Sequence, residues 1–488
     1  MKNASGLGIF IVLALLLVYG YLLAHKIDLT TADLGRHIKN GENLLKHFDF
    51  EILKTNFYSY TEPDFPTTNH HWLFGAVFFV IWKLAGFAGV HFVFIAISLA
   101  TFLIFFKIAE EKIGIGPASI LALIAIPLLA ERTEIRPEVF SYLFSGLFLW
   151  GLLKWNEEKI SFKQLLLFLL TIQIIWVNSH IFFFLGFAIA GTFLFSRNLK
   201  KIALLIISLF AVSLINPFGI AGLLEPLSIL REYGYSLAEN KSVWFLENYG
   251  IWRPGFEIFK FAVLLTALSF AWVLIKKRQN LAILQNFFLA GGISAMAVLQ
   301  SRNLALFGFV LMPVLAQNIE NLKIDSLRKF SKEIKYAGAG LCFFTIFLLI
   351  STNISALFPY SGNFGVGLQE NNSAPIKYFK KENLKGPIFN NYDIGGYLIF
   401  HLFPQEKVFV DNRPEAYSAD FFKKIYIPAQ ENDEAWNKLN KQYKFNSIIF
   451  SHRDITPWGQ NFLKARLEDK EWKQVFADER VIIFTPTP

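Results

Sequence analysis

The amino-acid sequence predicts a polytopic α-helical membrane protein of about eleven transmembrane helices, followed by a C-terminal soluble α/β domain. Three observations predict it. Hydrophobic residues make up 54% of the 488 residues and charged ones only 17%, whereas soluble globular chains carry about 25% charge. Apolar runs recur near the ~20 residues that an α-helix needs to cross hydrocarbon. After about residue 355 the composition turns polar, with strand-like and helix-like stretches in alternation. A cytosolic enzyme, a disordered tail protein and a disulfide-rich scaffold are excluded. The single cysteine, Cys342, lies in an apolar run and permits no intramolecular disulfide or thiolate cluster.

Taken in order, Lys2 precedes the apolar run Leu7–Ala24. That run exceeds a signal-peptide core of ~7–15 residues and no A-x-A site follows, so it is expected to be the first span. Further apolar runs cover 88–106, 116–130, 138–153, 164–177, 181–195, 202–216, 258–275, 281–299, 304–317 and 336–354. The segment 70–86 is marginal, because it contains His70, His71 and Lys83. Charge arbitrates. If 70–86 lies along the outer interface, the cytoplasmic segments hold 17 basic residues, from Lys2 through Arg197, Arg278 and Arg328 to Lys335, against seven acids that include Asp325. If it spans, most of that charge moves outside. The positive-inside rule therefore favours an interfacial helix 70–86.

The expected organisation is a transmembrane domain 1–355, carrying an outer loop 26–69 and the interfacial helix 70–86, and an extracytoplasmic α/β domain 356–488. The localisation is the cell inner (plasma) membrane, multi-pass, with the active face outward. Tail strands are expected at Pro387–Asn390, Lys407–Asp411, Ser447–Ser451 and Arg480–Thr485, with helices at Gly395–Leu402 and Glu431–Gln442. The formal net charge of +9 is almost wholly this topology signal, so it does not imply nucleic acid.

The polar segments assigned to the outer face carry the candidate chemistry. In TTADLGRHIKNGENLL, Asp33 and His37 are spaced i, i+4 and share a helix face, with Arg36 and Lys39 nearby. A carboxylate just past a span suits accepting a proton from a hydroxyl or holding a metal; an ordinary amphipathic helix is the alternative. In NHHWLF, His71 suits a phosphate or sugar contact, or simple anchoring at the interface. The turn AERTEIRPEVF holds Glu131, Arg132, Glu134, Arg136 and Glu138. Arginines are disfavoured on this side, so they call either for internal glutamates or for an anionic lipid phosphate, which guanidinium binds bidentately. WVNSHIFF offers His180, and QSRNLALF offers Arg302 in a turn that contains no acid. Asn216-Pro217-Phe218-Gly219 reads as a helix stop. In the tail, Gly395-Gly396 lacks the G-x-G-x-x-G spacing of a nucleotide fingerprint, and Asp411 with Arg413 suits a ligand or domain packing equally.

Taken together, D-x-x-x-H at Asp33 and His37, FYSYT followed by HHWLF, RPEVFSYLF, WVNSH, INPFG, NNYDIGGYLIF and VFVDNRPEAY resemble the GT-C fold membrane glycosyltransferases. The likeness is to poorly characterised bacterial members related to polyprenyl-phosphate-sugar-dependent mannosyl- and aminoarabinose transferases, and it covers nearly the whole chain. The resemblance implies a sugar moved from a polyprenyl-phosphate donor to an extracytoplasmic lipid, glycan or protein acceptor. It implies Asp33 as the base, with a second acid in a later outer turn, for which Glu134 is taken among Glu131, Glu134 and Glu138. Arg36, His37, His71, Arg132, Arg136, His180 and Arg302 are the expected substrate-binding residues. The D-x-D form is absent, since Leu34 and Gly35 follow Asp33; a divalent metal is compatible with the sequence but not required by it, and no metal ligand is assigned. The rival readings are a lipid-linked glycan transporter or flippase and a non-catalytic envelope-assembly scaffold. A transporter places ionisable groups near the bilayer midplane, whereas here the middles of the expected spans are largely uncharged.

Overall fold

The computed structural model describes residues 6–195, 198–230, 232–278, 280–324, 329–352, 357–358 and 363–487. Lys2, Arg197, Asp325 and Arg328 of the charge argument, and the domain boundary expected at 355/356, lie outside the described residues. The helices are α1 Gly6–Leu23, α2 Leu34–Glu42, α3 Trp72–Ile113, α4 Ile115–Leu129, α5 Glu138–Asn156, α6 Phe162–Ser179, α7 Phe184–Thr192 and α8 Leu199–Ser213. They continue with α9 Ile220–Leu224, α10 Val243–Asn248, α11 Pro254–Ile275, α12 Leu281–Leu299, α13 Leu304–Leu322 and α14 Ser331–Ser351. The polar tail adds α15 Ala374–Lys381, α16 Gly395–Leu402, α17 Ile427–Glu431, α18 Asp433–Tyr443 and α19 Pro457–Glu468, with strands β1 Ile388–Asn390, β2 Ser447–Ser451, β3 Trp472–Ala477 and β4 Val481–Pro486.

Over the described residues, each apolar run of the sequence is mostly helical. Caps explain several of the starts: Ser161 and Gln164 form a reciprocal capping box on α6, and the Asn280 side chain accepts from the Ile283 N–H at 2.9 Å to open α12. Among the described residues, seven helices are long and apolar enough to cross a membrane. Gly86, at φ 61° and ψ −163°, divides α3 into two helices near the end of the segment expected at 70–86.

The chain divides into two compact units. The first comprises residues 1–26, 91–219 and 237–366 and holds most of the long apolar helices. Its centre is α13, 83% buried over its apolar window, where the other candidate spans range from 22% to 44%. Helices α4, α11 and α12 pack on α13, and α4 also packs on α14. Gly308 of α13 permits the close approach, since a Cβ there would sit 2.9 Å from the Leu128 Cβ. At one set of helix ends Lys112 pairs with Glu320 at 3.2 Å and Lys154 with Glu111 at 2.5 Å. The opposite end of α5, at Glu138, carries the arginines described below. Sixteen residues at 1.5 Å each separate Lys154 from Glu138 by about 24 Å, close to a hydrocarbon thickness.

The second unit comprises residues 27–90, 220–236 and 367–488. The loop 26–69 and helix 70–86, expected with the transmembrane domain, thus fall almost entirely with the tail. Contacts explain the grouping: α2 packs on α16, with Gly35 against Phe400, and Ser59 bridges Val408. The sheet order is β1-β2-β4-β3, with β1 and β2 parallel and the other pairs antiparallel. One strand expectation needs correction, and one strand was not expected. Lys407–Asp411 makes only the isolated bridge from Val408, and β3 at Trp472–Ala477 takes the edge instead. The alternating KVFVD pattern is strand-like, but other partners take its backbone groups. The Asn390 side chain donates to the Val410 carbonyl at 2.7 Å and accepts from the Phe409 N–H at 2.9 Å, while Ser59 and Thr61 hydroxyls donate to the Phe409 carbonyl.

Candidate active site

The first unit gathers a buried ionic group at the junctions α4–α5, α6–α7 and α12–α13. Arg132, at the end of α4, donates to Glu138, the first residue of α5, and through Nη1 to Glu239 Oε2 at 2.7 Å. Arg136 donates from Nε to Glu134 Oε2 at 2.7 Å and from Nη1 to Glu239 Oε2 at 3.1 Å. Arg302 donates to Asn240 Oδ1 at 3.2 Å, lies 3.8 Å from Glu239 Oε1 and sits over the Phe182 ring. His180 Nε2 is 3.9 Å from Glu138 Oε2. Its Nδ1 accepts from the Phe182 N–H at 3.4 Å and lies 2.8 Å from Ser141 Oγ, so the ring proton belongs on Nε2, facing Glu138.

Electrostatics follow from this packing. Burial alone would raise the Glu239 carboxyl, but Arg132, Arg136 and Arg302 together pull it well below the ordinary carboxylate range. Glu131 behaves oppositely. Burial pushes it up to about 7, outweighing the Arg253 guanidinium at 3.3 Å and the Gly255 backbone N–H, which both favour the charged form.

The second unit builds a separate polar group around α2. Asp33 stands at the helix N-cap position, with its backbone carbonyl accepting from the His37 N–H at 3.1 Å. The Asn412 amide nitrogen donates to Asp33 Oδ1, and the Asn412 amide oxygen accepts from Arg36 Nε at 3.2 Å, so one amide orients both charged groups. His37 is buried, edge-on to His71 at 5.4 Å and to Phe74 at 5.2 Å between ring centroids. Close backbone approach makes this possible: a Cβ on Gly41 would lie 2.1 Å from the Gly75 carbonyl oxygen. Asp393 is half-buried; desolvation, with Asp454 and Asp33 as neighbouring carboxylates, raises it to about 7.

No protein-family model and no curated protein sequence matches the chain. Solved structures match it closely in shape. The archaeal oligosaccharyltransferase AglB from Archaeoglobus fulgidus, in complex with an inhibitory peptide and a dolichol-phosphate, superposes with a TM-score of 0.62 at 12% identity, over 91% of this chain and 69% of that one. The apo form of the Archaeoglobus fulgidus oligosaccharyltransferase gives 0.61 at 13% identity, over the same shares. The chain has the GT-C fold.

On this GT-C scaffold the residues singled out in the sequence sort by unit. Arg132, Arg136, Arg302, His180, Glu134 and Glu138 come together in the first; Asp33, Arg36, His37 and His71 belong to the second. Arg302 has no acid in its own turn, but the loop turn at residues 238–240 supplies one in Glu239. Asp411 and Arg413 pair bidentately with each other, at 2.8 and 2.6 Å, and Arg413 also holds Asn56. That arrangement is an internal staple of the tail. Among the described residues no group of three or more His, Cys, Asp or Glu side chains is arranged to hold a metal ion. Sequence reasoning missed Glu239, Asn412 and Asp393. Three arginines in outer turns signal a counter-acid in the long loop 216–257, but five glutamates there compete for the role.

Proposed function

We propose that this chain is an integral membrane glycosyltransferase moving a sugar from a polyprenyl-phosphate donor to an acceptor hydroxyl at the extracytoplasmic face, with about eleven crossings. One observation carries the reading: Arg132, Arg136, Arg302 and His180, from three different helix junctions, converge on shared carboxylates at the ends of apolar helices, α6, α12 and α13 among them being of membrane-spanning length. Guanidinium groups at that depth suit the phosphate of a lipid whose chain lies in the bilayer. The segment after Glu239 exposes Trp244, Tyr249 and Trp252, the residue types that favour headgroup level. The AglB structure with dolichol-phosphate supports a lipid-phosphate ligand for this fold.

The reaction is a displacement at the anomeric carbon. The acceptor oxygen forms a bond to that carbon, the bond to the phosphate oxygen breaks with its electron pair leaving on the phosphate, and the hydroxyl proton passes to the Asp33 carboxylate. Arg132, Arg136 and Arg302 serve the departing phosphate, which gains negative charge as it leaves. Asn412 orients Asp33 and Arg36, Glu134 is the second acid, and Arg36, His37 and His71 contact sugar or acceptor. No step is routed through a metal ion.

Incubating the purified protein with polyprenyl-phosphate sugars and an acceptor extract should release polyprenyl phosphate, and Asp33→Asn should abolish release while the protein stays inserted and folded. Full activity in that variant removes Asp33 from the reaction. No release from any donor by the folded wild type overturns the transferase reading.

A further inference from the structure

Among the described residues, the cluster of guanidinium and carboxylate groups is formally neutral. Arg132, Arg136 and Arg302 are matched one for one by Glu134, Glu138 and Glu239. An incoming lipid phosphate therefore meets, among the described residues, arginines already balanced by carboxylates, and takes the place of one of them.

The three glutamates are not equivalent. Glu138 is the first residue of α5, 9% exposed, and shared by Arg132 and His180; Glu134 is 7% exposed and holds Arg136. Among the described ion pairs, Glu239 is the one within 4 Å of all three guanidinium groups, through Oε2 to Arg132 and Arg136 and through Oε1 to Arg302. Its side chain is also the most open, at 20% exposure. Its backbone is fastened independently of the carboxylate: the Ser301 N–H donates to the Lys241 carbonyl at 2.9 Å and the Ser301 hydroxyl to the Glu239 carbonyl at 3.3 Å. Rotation of one side chain would thus empty the space between the arginines while the turn stays in place.

We infer that Glu239 is an exchangeable internal anion, holding the seat of the donor phosphate between Arg132, Arg136 and Arg302 and swinging out when that phosphate binds. The inference rests on the arginines being the phosphate site. Its consequence is selectivity: only an anion that outcompetes an intramolecular carboxylate enters, so ordinary anionic headgroups of the bilayer are kept off the arginines.

The test uses the full chain in phosphatidylcholine nanodiscs, with a polyprenyl monophosphate as probe. Glu239→Gln keeps the shape and removes the charge, and should bind the probe about tenfold more tightly, a difference of about 1.4 kcal/mol. It should also acquire measurable binding to phosphatidylglycerol, which the wild type lacks. Equal or weaker probe binding by Glu239→Gln, with binding lost in Arg302→Gln, makes Glu239 a structural fastening and overturns the inference while the phosphate site survives. If the wild type and Arg302→Gln bind the probe alike, the phosphate site itself is wrong. Should Glu239→Gln fold poorly, Glu239→Ala offers a second measurement: inorganic phosphate should raise its melting temperature more than that of the wild type, and equal shifts overturn the inference.

Discussion

Replacing Arg302 by glutamine separates ligand binding from stability better than replacing any other arginine of the cluster. Arg302 is 22% exposed on its side chain, donates to the Asn240 amide oxygen at 3.2 Å, and stands 3.8 Å from Glu239 Oε1. A partly exposed pair at that distance contributes about 0.2–1 kcal/mol to folding. Glu239 keeps Arg132 at 2.7 Å and Arg136 at 3.1 Å when Arg302 is gone, so no charge is stranded. Arg132 is the opposite case. Its side chain is 6% exposed and it holds both Glu138 and Glu239, so its removal leaves buried carboxylates short of a partner, at a cost of about 3–5 kcal/mol. Toward a donor phosphate, one charge-assisted hydrogen bond is worth about 1.5–3 kcal/mol, or roughly ten- to a hundredfold. Arg302→Gln should therefore melt within a few degrees of the wild type yet lose roughly ten- to a hundredfold in kcat/KM for a polyprenyl-phosphate sugar, whereas Arg132→Gln should be visibly destabilised. Polyprenyl phosphate release at several donor concentrations, with a thermal melt on the same preparation, measures both. An Arg302→Gln protein with unchanged kcat/KM and unchanged melting temperature would refute the assignment of the arginines to the phosphate.

Two further outcomes follow from geometry away from the arginines. Gly41→Ala should destabilise the packing of α2 by about 1–3 kcal/mol and lower activity together with stability, because the new methyl would sit 2.1 Å from the Gly75 carbonyl oxygen; unfolding by denaturant reads the first and product release the second. Glu131, raised from the ordinary 4.5 to about 7 by burial, binds its proton more tightly in the folded state, so the stability it contributes is full below about pH 4.5 and is lost as pH rises through about 7. Glu131→Gln should remove up to about 3 kcal/mol of that pH dependence and flatten the melting temperature over the same window; an unchanged slope refutes it.

The apolar helices were legible because hydrocarbon length and apolar composition are properties of a continuous stretch of chain. α12 at Leu281–Leu299 matches the run read at 281–299 residue for residue. Turn chemistry was legible for a related reason: Arg132, Arg136, His180 and Arg302 stand out against an apolar background, where an ionised group requires explanation. What could not be read was the identity of their partners. Glu239 and Asn412 sit in ordinary polar loop sequence, and each becomes informative only through residues 63 to 379 positions away. The same limit explains the tail. KVFVD has the alternation of a strand, and its backbone groups are indeed satisfied, but by the side chains of Asn390, Ser59 and Thr61 as well as the bridge to residues 58–60.

The missed partners also bear on how such a site would work. A cluster of three arginines held open at a bilayer boundary would attract anionic headgroups indiscriminately, and its mutual repulsion would destabilise the helix ends that carry it. Neutralising each arginine with a carboxylate solves both problems, and the solution has a definite form here. Glu138 and Glu134 lie within the α4–α5 junction itself, close in sequence to the arginines they hold, and so fix that junction. Glu239 comes from a separate turn and is shared by every guanidinium, so it balances the group as a whole. Fixed partners give the cluster its rigidity, and in the proposed exchange the shared, more exposed partner is the one that a phosphate replaces, by a single side-chain rotation.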